Sequence, residues 1–308
     1  MNDQNRTHTD APYGIRPPGY RLPDETRLGA VRLQISDLAR SLAYYEQVLG
    51  LSVLERSEGR AVLGVQGGAP LVELHERKGA TAVPRGGRLG LYHFAILLPD
   101  RAALGRFITH LATVGARAGA SHHRVSEALY LQDPDGLGIE VYSDLPRSEW
   151  TAEEGQLVMS TDPLNLESVV LAAEGKPWTG MPAETTIGHV HLHVGDLERA
   201  SLFYHEGLGL NKTVWSYPGA LFMAAGGYHH HLGVNTWARG AAPATENDAR
   251  LLGWEVVVPN AEDVNRVLES LTSHGAAVQV ADGSGTALDP WGTAMRIRPA
   301  TARSSMWP

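Results

Sequence analysis

AVRLQISDLARSLAYYEQVLGL, residues 30–51, and HVHLHVGDLERASLFYHEGLGL, residues 189–210, are two copies of one pattern. They match at Asp37 and Asp196, Leu38 and Leu197, Tyr45 and Tyr204, and Gly50 and Gly209. The same constant offset lays Gly67-Gly68 on Gly226-Gly227 without a gap. Such a repeat matters more than local propensity, because each copy is one supersecondary unit that must bury its apolar face against another. Within the first copy Val31, Leu33 and Ile35 alternate with Ala30, Arg32 and Gln34, the period of a half-buried strand. Asp37 can cap a helix on which Leu38, Leu42, Tyr45 and Leu49 recur at helical spacing, and Gly50 stands where a left-handed residue ends it. The runs LSVLERSE, RAVLGVQ and LVELHE follow, β-rich and separated by glycine turns, which completes a βαβββ unit.

Each copy is followed by a weaker relative of itself. HFAILLPDRAALGRFITHLATVGA from His93 and GWEVVVPNAEDVNRVLESLTSHGA from Gly253 both run strand, proline turn, helix, glycine stop. Both then reach a turn, Asp133-Pro134-Asp135-Gly136 or Asp289-Pro290-Trp291-Gly292. The chain therefore reads as an α+β fold of four βαβββ modules paired into two cupped-sheet domains, residues 27–145 and 187–300. Residues 1–26, with Pro12, Pro17, Pro18 and Pro23, read as an extended arm without its own core. Residues 146–186, with Pro146, Pro163, Pro177 and Pro182, are long and irregular enough to be a linker.

Composition narrows the chemistry. The 308 residues are 43% hydrophobic and include no cysteine, which removes disulfides, thiolate metal sites and cysteine nucleophiles. A formal net charge of -8 disfavours nucleic acid as a partner. No run approaches the roughly 20 apolar residues that cross a bilayer, and MNDQNRTHTD has no apolar signal core behind it, so a cytoplasmic protein without membrane partners is expected. The glycine pairs lie between strands and do not open a helix, which argues against a nucleotide cofactor. Fourteen histidines make their clustering the question to pursue.

The paired motifs Asp37-Leu38, Tyr44-Tyr45, Gly50-Leu51 and Asp196-Leu197, Phe203-Tyr204, Gly209-Leu210, with the Asp133–Gly136 turn leading to Glu140, resemble the vicinal oxygen chelate superfamily. That superfamily includes glyoxalase I, fosfomycin-resistance proteins and extradiol ring-cleaving dioxygenases, and the resemblance covers roughly residues 28 to 298. GLYHFAILLPD, SEALYLQDPDG, GHVHLHV and GGYHHHLGVNTW look similar to its bacterial catechol-2,3-dioxygenase group. The resemblance implies metal ligands on the first and last strands of modules. Carried over by position, the first half offers Ala30, Glu73, His93 and Glu140, and the second His189, the region His229–His231, Gly253 and Arg296. An extradiol pattern would place a histidine at 253 and a glutamate at 296, and the chain departs from it at both.

The resulting expectation is a divalent-metal site of His93, Glu140 and Glu73, with Fe(II) the leading ion and Mn, Ni, Co or Zn as alternatives. His75, on the same face as Glu73, is a substitute ligand. Against this stands the plainer reading of Glu73 and Glu140 as solvent-facing strand residues and His93 as a hydrogen-bonded, half-buried ring. His189, His191 and His193 share one strand face, and a second candidate site comprises His189, His229, His231 and Glu255. A cavity left polar after losing its metal is the alternative there. His230 best matches the acid/base histidine that the resemblance implies, with His189 beside it, and Tyr130 could hydrogen-bond a metal-bound oxygen. For Tyr130 plain packing competes. His122 and His123 could line a pocket mouth but read as solvated more readily than catalytic, and Trp237 and Trp254 could wall a ring substrate but read more readily as core anchors.

Three functions follow as expectations. The first is an extradiol-type dioxygenase that takes a small aromatic or other vicinal-dioxygen substrate with dioxygen. The second is a glyoxalase-like isomerase or lyase using Glu73 or Glu140 as base, and the third a small-molecule-binding protein without chemistry. Self-association into a homo-oligomer is left open.

Overall fold

A computed structural model describes residues 11–300. The first module comprises β1 (Arg27–Ile35), α1 (Leu38–Gln47), β2 (Ser52–Ser57), β3 (Arg60–Gly64) and β4 (Pro70–Glu76). The second comprises β5 (Gly90–Leu97), α2 (Arg101–Val114), β6 (Gly119–His122), β7 (Ser126–Gln132) and β8 (Gly138–Asp144). A short ribbon, β9 (Ala152–Glu153) with β10 (Gln156–Leu157), and α3 (Leu166–Ala172) fill the connection. The third module has β11 (Thr186–His193), α4 (Leu197–Ser201) continuing as a π-helical stretch Leu202–Gly207, β12 (Asn211–Val214), β13 (Ala220–Ala224) and β14 (Leu232–Asn235). The fourth has β15 (Arg250–Val258), α5 (Ala261–Ser273), β16 (Val278–Ala281), β17 (Ser284–Leu288) and β18 (Ala294–Pro299).

The cap read from the sequence at Asp37 forms, and two further helices are capped in the same way. Asp37, Asp100 and Asp196 accept the amide hydrogens of Arg40, Ala103 and Arg199, each supplying an acceptor to a helix start that has none of its own. Gly50 ends the first helical segment at φ +77°, a backbone region costly for any side chain.

Sheet pairing departs from the expected domains. Two eight-stranded sheets form, in the orders β16-β17-β18-β15-β1-β4-β3-β2 and β12-β13-β14-β11-β5-β8-β7-β6. The first module thus joins the fourth and the second joins the third, so neither 27–145 nor 187–300 closes a cup by itself. The reason lies in the strand edges. Within every module the first strand pairs in parallel with the last, which leaves its other edge needing an antiparallel partner. β5 finds β11 and β1 finds β15. One continuous apolar core, including Phe94, Phe107, Tyr45, Tyr204 and Trp254, runs through both cups.

Of the expected N-terminal arm, residues 1–10 lie outside the described residues. Residues 11–26 are tied to the third module: Ile15 and Lys212 exchange backbone hydrogen bonds at 2.9 Å, and Leu22 is fully buried beside Gly209. No helix among the described residues is long and apolar enough to cross a membrane.

Candidate metal centre

Strand register brings three donors together around one small residue. Ala95 of β5 lies opposite Glu140 of β8 on one side and opposite His189 of β11 on the other. His93, two residues back along β5, points to the same face. His93 Nε2 is 3.0 Å and His189 Nε2 3.2 Å from Oε2 of Glu140, and all three residues are buried. A larger side chain at 95 would occupy the space on which they converge.

The electrostatics suit a cation. Burial alone would raise the Glu140 pKa, but the His189 and His93 rings hold the carboxyl well below its usual range. Burial pushes His189 down to about 4 despite Glu140 beside it. Nε2 of His93 is enclosed without a well-aligned hydrogen bond, although it lies 3.0 Å from the carboxylate. Proximity without alignment is what lone pairs show when they aim at a common point and not at one another. Two imidazoles and one carboxylate in that arrangement match a divalent-metal site, and the set is the one associated with non-haem iron(II) oxygenases.

The donors sit in the wall of a cavity of about 350 Å³. Tyr92, Phe222 and Trp237 give it aromatic sides, and Met159, Ser160 and Thr161 bring the connecting segment to its rim. His230 also lines it, its ring centroid 4.2 Å from that of His189. Tyr130, opposite Glu140 in the sheet, lines it too, with burial and then Glu140 keeping its hydroxyl well above the ordinary phenol pKa. His123 Nδ1 donates to the carbonyl of Ser160 at 2.7 Å, so its Nε2 accepts the Tyr130 hydroxyl hydrogen at 2.5 Å.

Other candidates go elsewhere. Glu73 belongs to the opposite sheet, where it pairs with Arg32, Arg60 and His75. Burial would raise its pKa, but His75 and the two arginines lower it. His75 thus serves Glu73 and not a metal. Glu255 also lies in that sheet, its Oε2 accepting from Arg298 Nε at 2.9 Å and its Oε1 3.6 Å from Arg296. The outer cup therefore has guanidinium groups where the inner cup has ligands, and the second candidate site does not assemble. Its histidines separate: His189 joins His93 and Glu140, His229 binds Asp144, and His231 Nδ1 accepts the amide hydrogen of Ala225.

Trp237 and His123, weighed from sequence as an aromatic wall and a pocket mouth against core and solvated readings, line the cavity, as do His191 and Tyr92, the last carrying no sequence signal. A signal for the ligand triad was present. Of the four first-strand positions Ala30, His93, His189 and Gly253, the two histidines fall in the middle modules.

Paired βαβββ modules cupped around a two-histidine, one-carboxylate set define the class: a vicinal-oxygen-chelate fold with a metal-type site. Comparison with known proteins places the chain within it. Residues 27–141 and 186–294 match the sequence profile of the Glyoxalase/Bleomycin resistance protein/Dioxygenase superfamily, and the chain belongs to that superfamily. It is 42% identical over 273 residues to a catechol-2,3-dioxygenase of Bacillus subtilis (strain 168), spanning 87% of this chain and 95% of that protein. Glyoxalase I from Zea mays shares the fold with a TM-score of 0.53 at 17% identity, over 89% of this chain and 92% of the other. The cppA protein from Streptococcus pneumoniae TIGR4 does so with a TM-score of 0.54 at 12% identity, over 89% and 98%.

Proposed function

We propose that this protein is an extradiol-type ring-cleaving dioxygenase that opens a catechol-like aromatic with dioxygen, and that His93, Glu140 and His189 hold its divalent metal, Fe(II). The observation that carries the proposal is the convergence of two imidazoles and one carboxylate in the wall of an aromatic-sided cavity. The likeness to a catechol-2,3-dioxygenase across most of both chains supports it.

When bound, the metal supplies Lewis acidity toward the two vicinal oxygens and a redox centre for dioxygen. The remaining work falls to the protein. Tyr92, Phe222 and Trp237 flank an aromatic ring, and Met159 with Ser160 and Thr161 limit access of water at the rim. His230 stands where it can take a proton from a substrate hydroxyl. Tyr130 holds its hydroxyl beside Glu140 and directs its own hydrogen toward His123. The isomerase reading has lost its second carboxylate, because Glu73 is committed to arginines in the other cup.

Anaerobic purification followed by metal analysis and catechol turnover tests the reading. Bound Fe(II), oxygen uptake and a yellow ring-fission product are expected. Tight Zn or Ni with no oxygen uptake would refute the oxygenase, and a protein that binds a catechol without metal would refute the enzyme.

A further inference from the structure

His230 reaches the cavity with one nitrogen already engaged. Its Nδ1 lies 2.7 Å from Nδ1 of His229, and Nε2 of His229 lies 2.8 Å from Oδ1 of Asp144. A carboxylate oxygen has no hydrogen to give, so Nε2 of His229 carries the proton of that bond. In a neutral ring the other nitrogen is then a bare acceptor, and the hydrogen between the two rings must sit on Nδ1 of His230. Nε2 of His230 is left with a lone pair and makes no hydrogen bond among the described residues.

The chain is well held. Tyr228 donates its hydroxyl hydrogen to the same Oδ1 of Asp144 at 3.2 Å, and its hydroxyl also meets that of Tyr142 at 2.8 Å. The His229 ring is enclosed, its centroid 4.0 Å from that of Tyr228 in a tilted contact and its plane edge-on to Trp150. Thr213 fixes the backbone by donating to the His229 carbonyl at 2.6 Å.

We propose that Asp144 and His229 are positioning residues that lock His230 as its Nδ1–H tautomer, so that the nitrogen presented to the ligand is always a hydrogen-bond acceptor. The proposal rests on the reading of His230 as the group that takes the substrate's proton. A neutral imidazole without such a lock populates both tautomers, and one of them offers an N–H to a hydroxyl that has itself a proton to give away. With Nδ1 of His230 held by His229, the tautomer of the ring decides what its other nitrogen can do. The arrangement parallels the outer-shell partners that fix ring orientation and tautomer at metal-ligating histidines.

The test uses the full-length, metal-free protein carrying 15N-histidine, read by long-range 15N–1H NMR, together with turnover of the iron-loaded enzyme. In the wild type the His230 spectrum should show hydrogen on Nδ1. Asp144→Ala and His229→Phe should give a mixture of tautomers and lower kcat by about 10-fold or more, with KM within about 3-fold of wild type. His229→Asn, whose amide oxygen can stand in for Nδ1 as acceptor, should restore the single tautomer and most of kcat. A wild-type His230 protonated on Nε2, or variants that keep the Nδ1–H form without Asp144 or His229, would overturn the lock. A tautomer that shifts while kcat holds establishes the lock and overturns instead the role of His230 as base.

Discussion

His231 offers a direct measurement of how much this fold relies on histidines buried without charge. Burial, then the nearby His229 and His189, push its pKa from 6.5 down to about 3, and its Nδ1 accepts the amide hydrogen of Ala225. The unfolded ring takes its proton near pH 6.5 while the folded ring waits until about 3, so between those values the unfolded chain holds more protons and acid favours it. The contribution is complete above about pH 6.5 and declines as pH falls toward 3. Each pH unit in that window is worth about 1.4 kcal/mol per proton, so acidification from pH 7 to 5 should cost about 2 kcal/mol through this one residue. His231→Asn, which keeps an acceptor for Ala225 and removes the titrating ring, isolates that share. Guanidinium unfolding of chelator-treated wild type and variant, followed by tryptophan fluorescence at both pH values, gives the four stabilities required. The wild type should lose about 2 kcal/mol more than the variant on acidification. His189, His191 and His230, also shifted downward by burial, act in both proteins and cancel in the comparison. Equal losses in the two proteins, within about 0.5 kcal/mol, would refute the burial reasoning.

Three other outcomes follow from the site. Glu140→Gln should fold normally and lower metal affinity by at least about 100-fold, read by dialysis against the metal and elemental analysis, because removing a direct ligand exceeds the 10–100-fold typical of an outer-shell change. Ala95→Leu should fill the point between Glu140 and His189, leave metal content near background and cost about 1–3 kcal/mol from overpacking in chemical denaturation. Glu73→Gln should leave metal content and turnover unchanged yet destabilise the chain by about 2 kcal/mol, because Arg60 and Arg32 keep their charge in a mostly enclosed place without its counterion. A loss of metal in that last variant would return Glu73 to the ligand set.

The repeat, the capped helices and the glycine stops were legible because they depend on residues close in sequence. Asp37, Asp100 and Asp196 each act within one turn of themselves, and Gly50 within its own φ angle. The choice of partner between modules was not, because it is made at strand edges far apart in sequence, as between Ala95 and His189. Periodicity tells which face of a strand is buried and not which edge it pairs along, so it gives β5 no reason to prefer β11. That one choice decided the site. Glu73 and Glu140 are equivalent by alternation, and only register shows that one faces two imidazoles and the other two guanidinium groups. The choice between cavity and bland roles for Trp237 and His123 stayed open for a related reason, since the cavity they line exists only once the middle modules meet.

In the sequence, the two modules of one sheet lie between the two modules of the other, which sets an order of events during synthesis. Everything that builds the inner sheet has left the ribosome once Asn235 is out, whereas the outer sheet waits for a strand ending at Pro299. The earliest-made module must therefore spend that interval with the edge of β1 uncovered, beside a neighbour that has already matured. The glutamates of that sheet pair with arginines of their own modules, Glu73 with Arg32 and Arg60 and Glu255 with Arg296 and Arg298, so each half can neutralise its buried charges before the two meet.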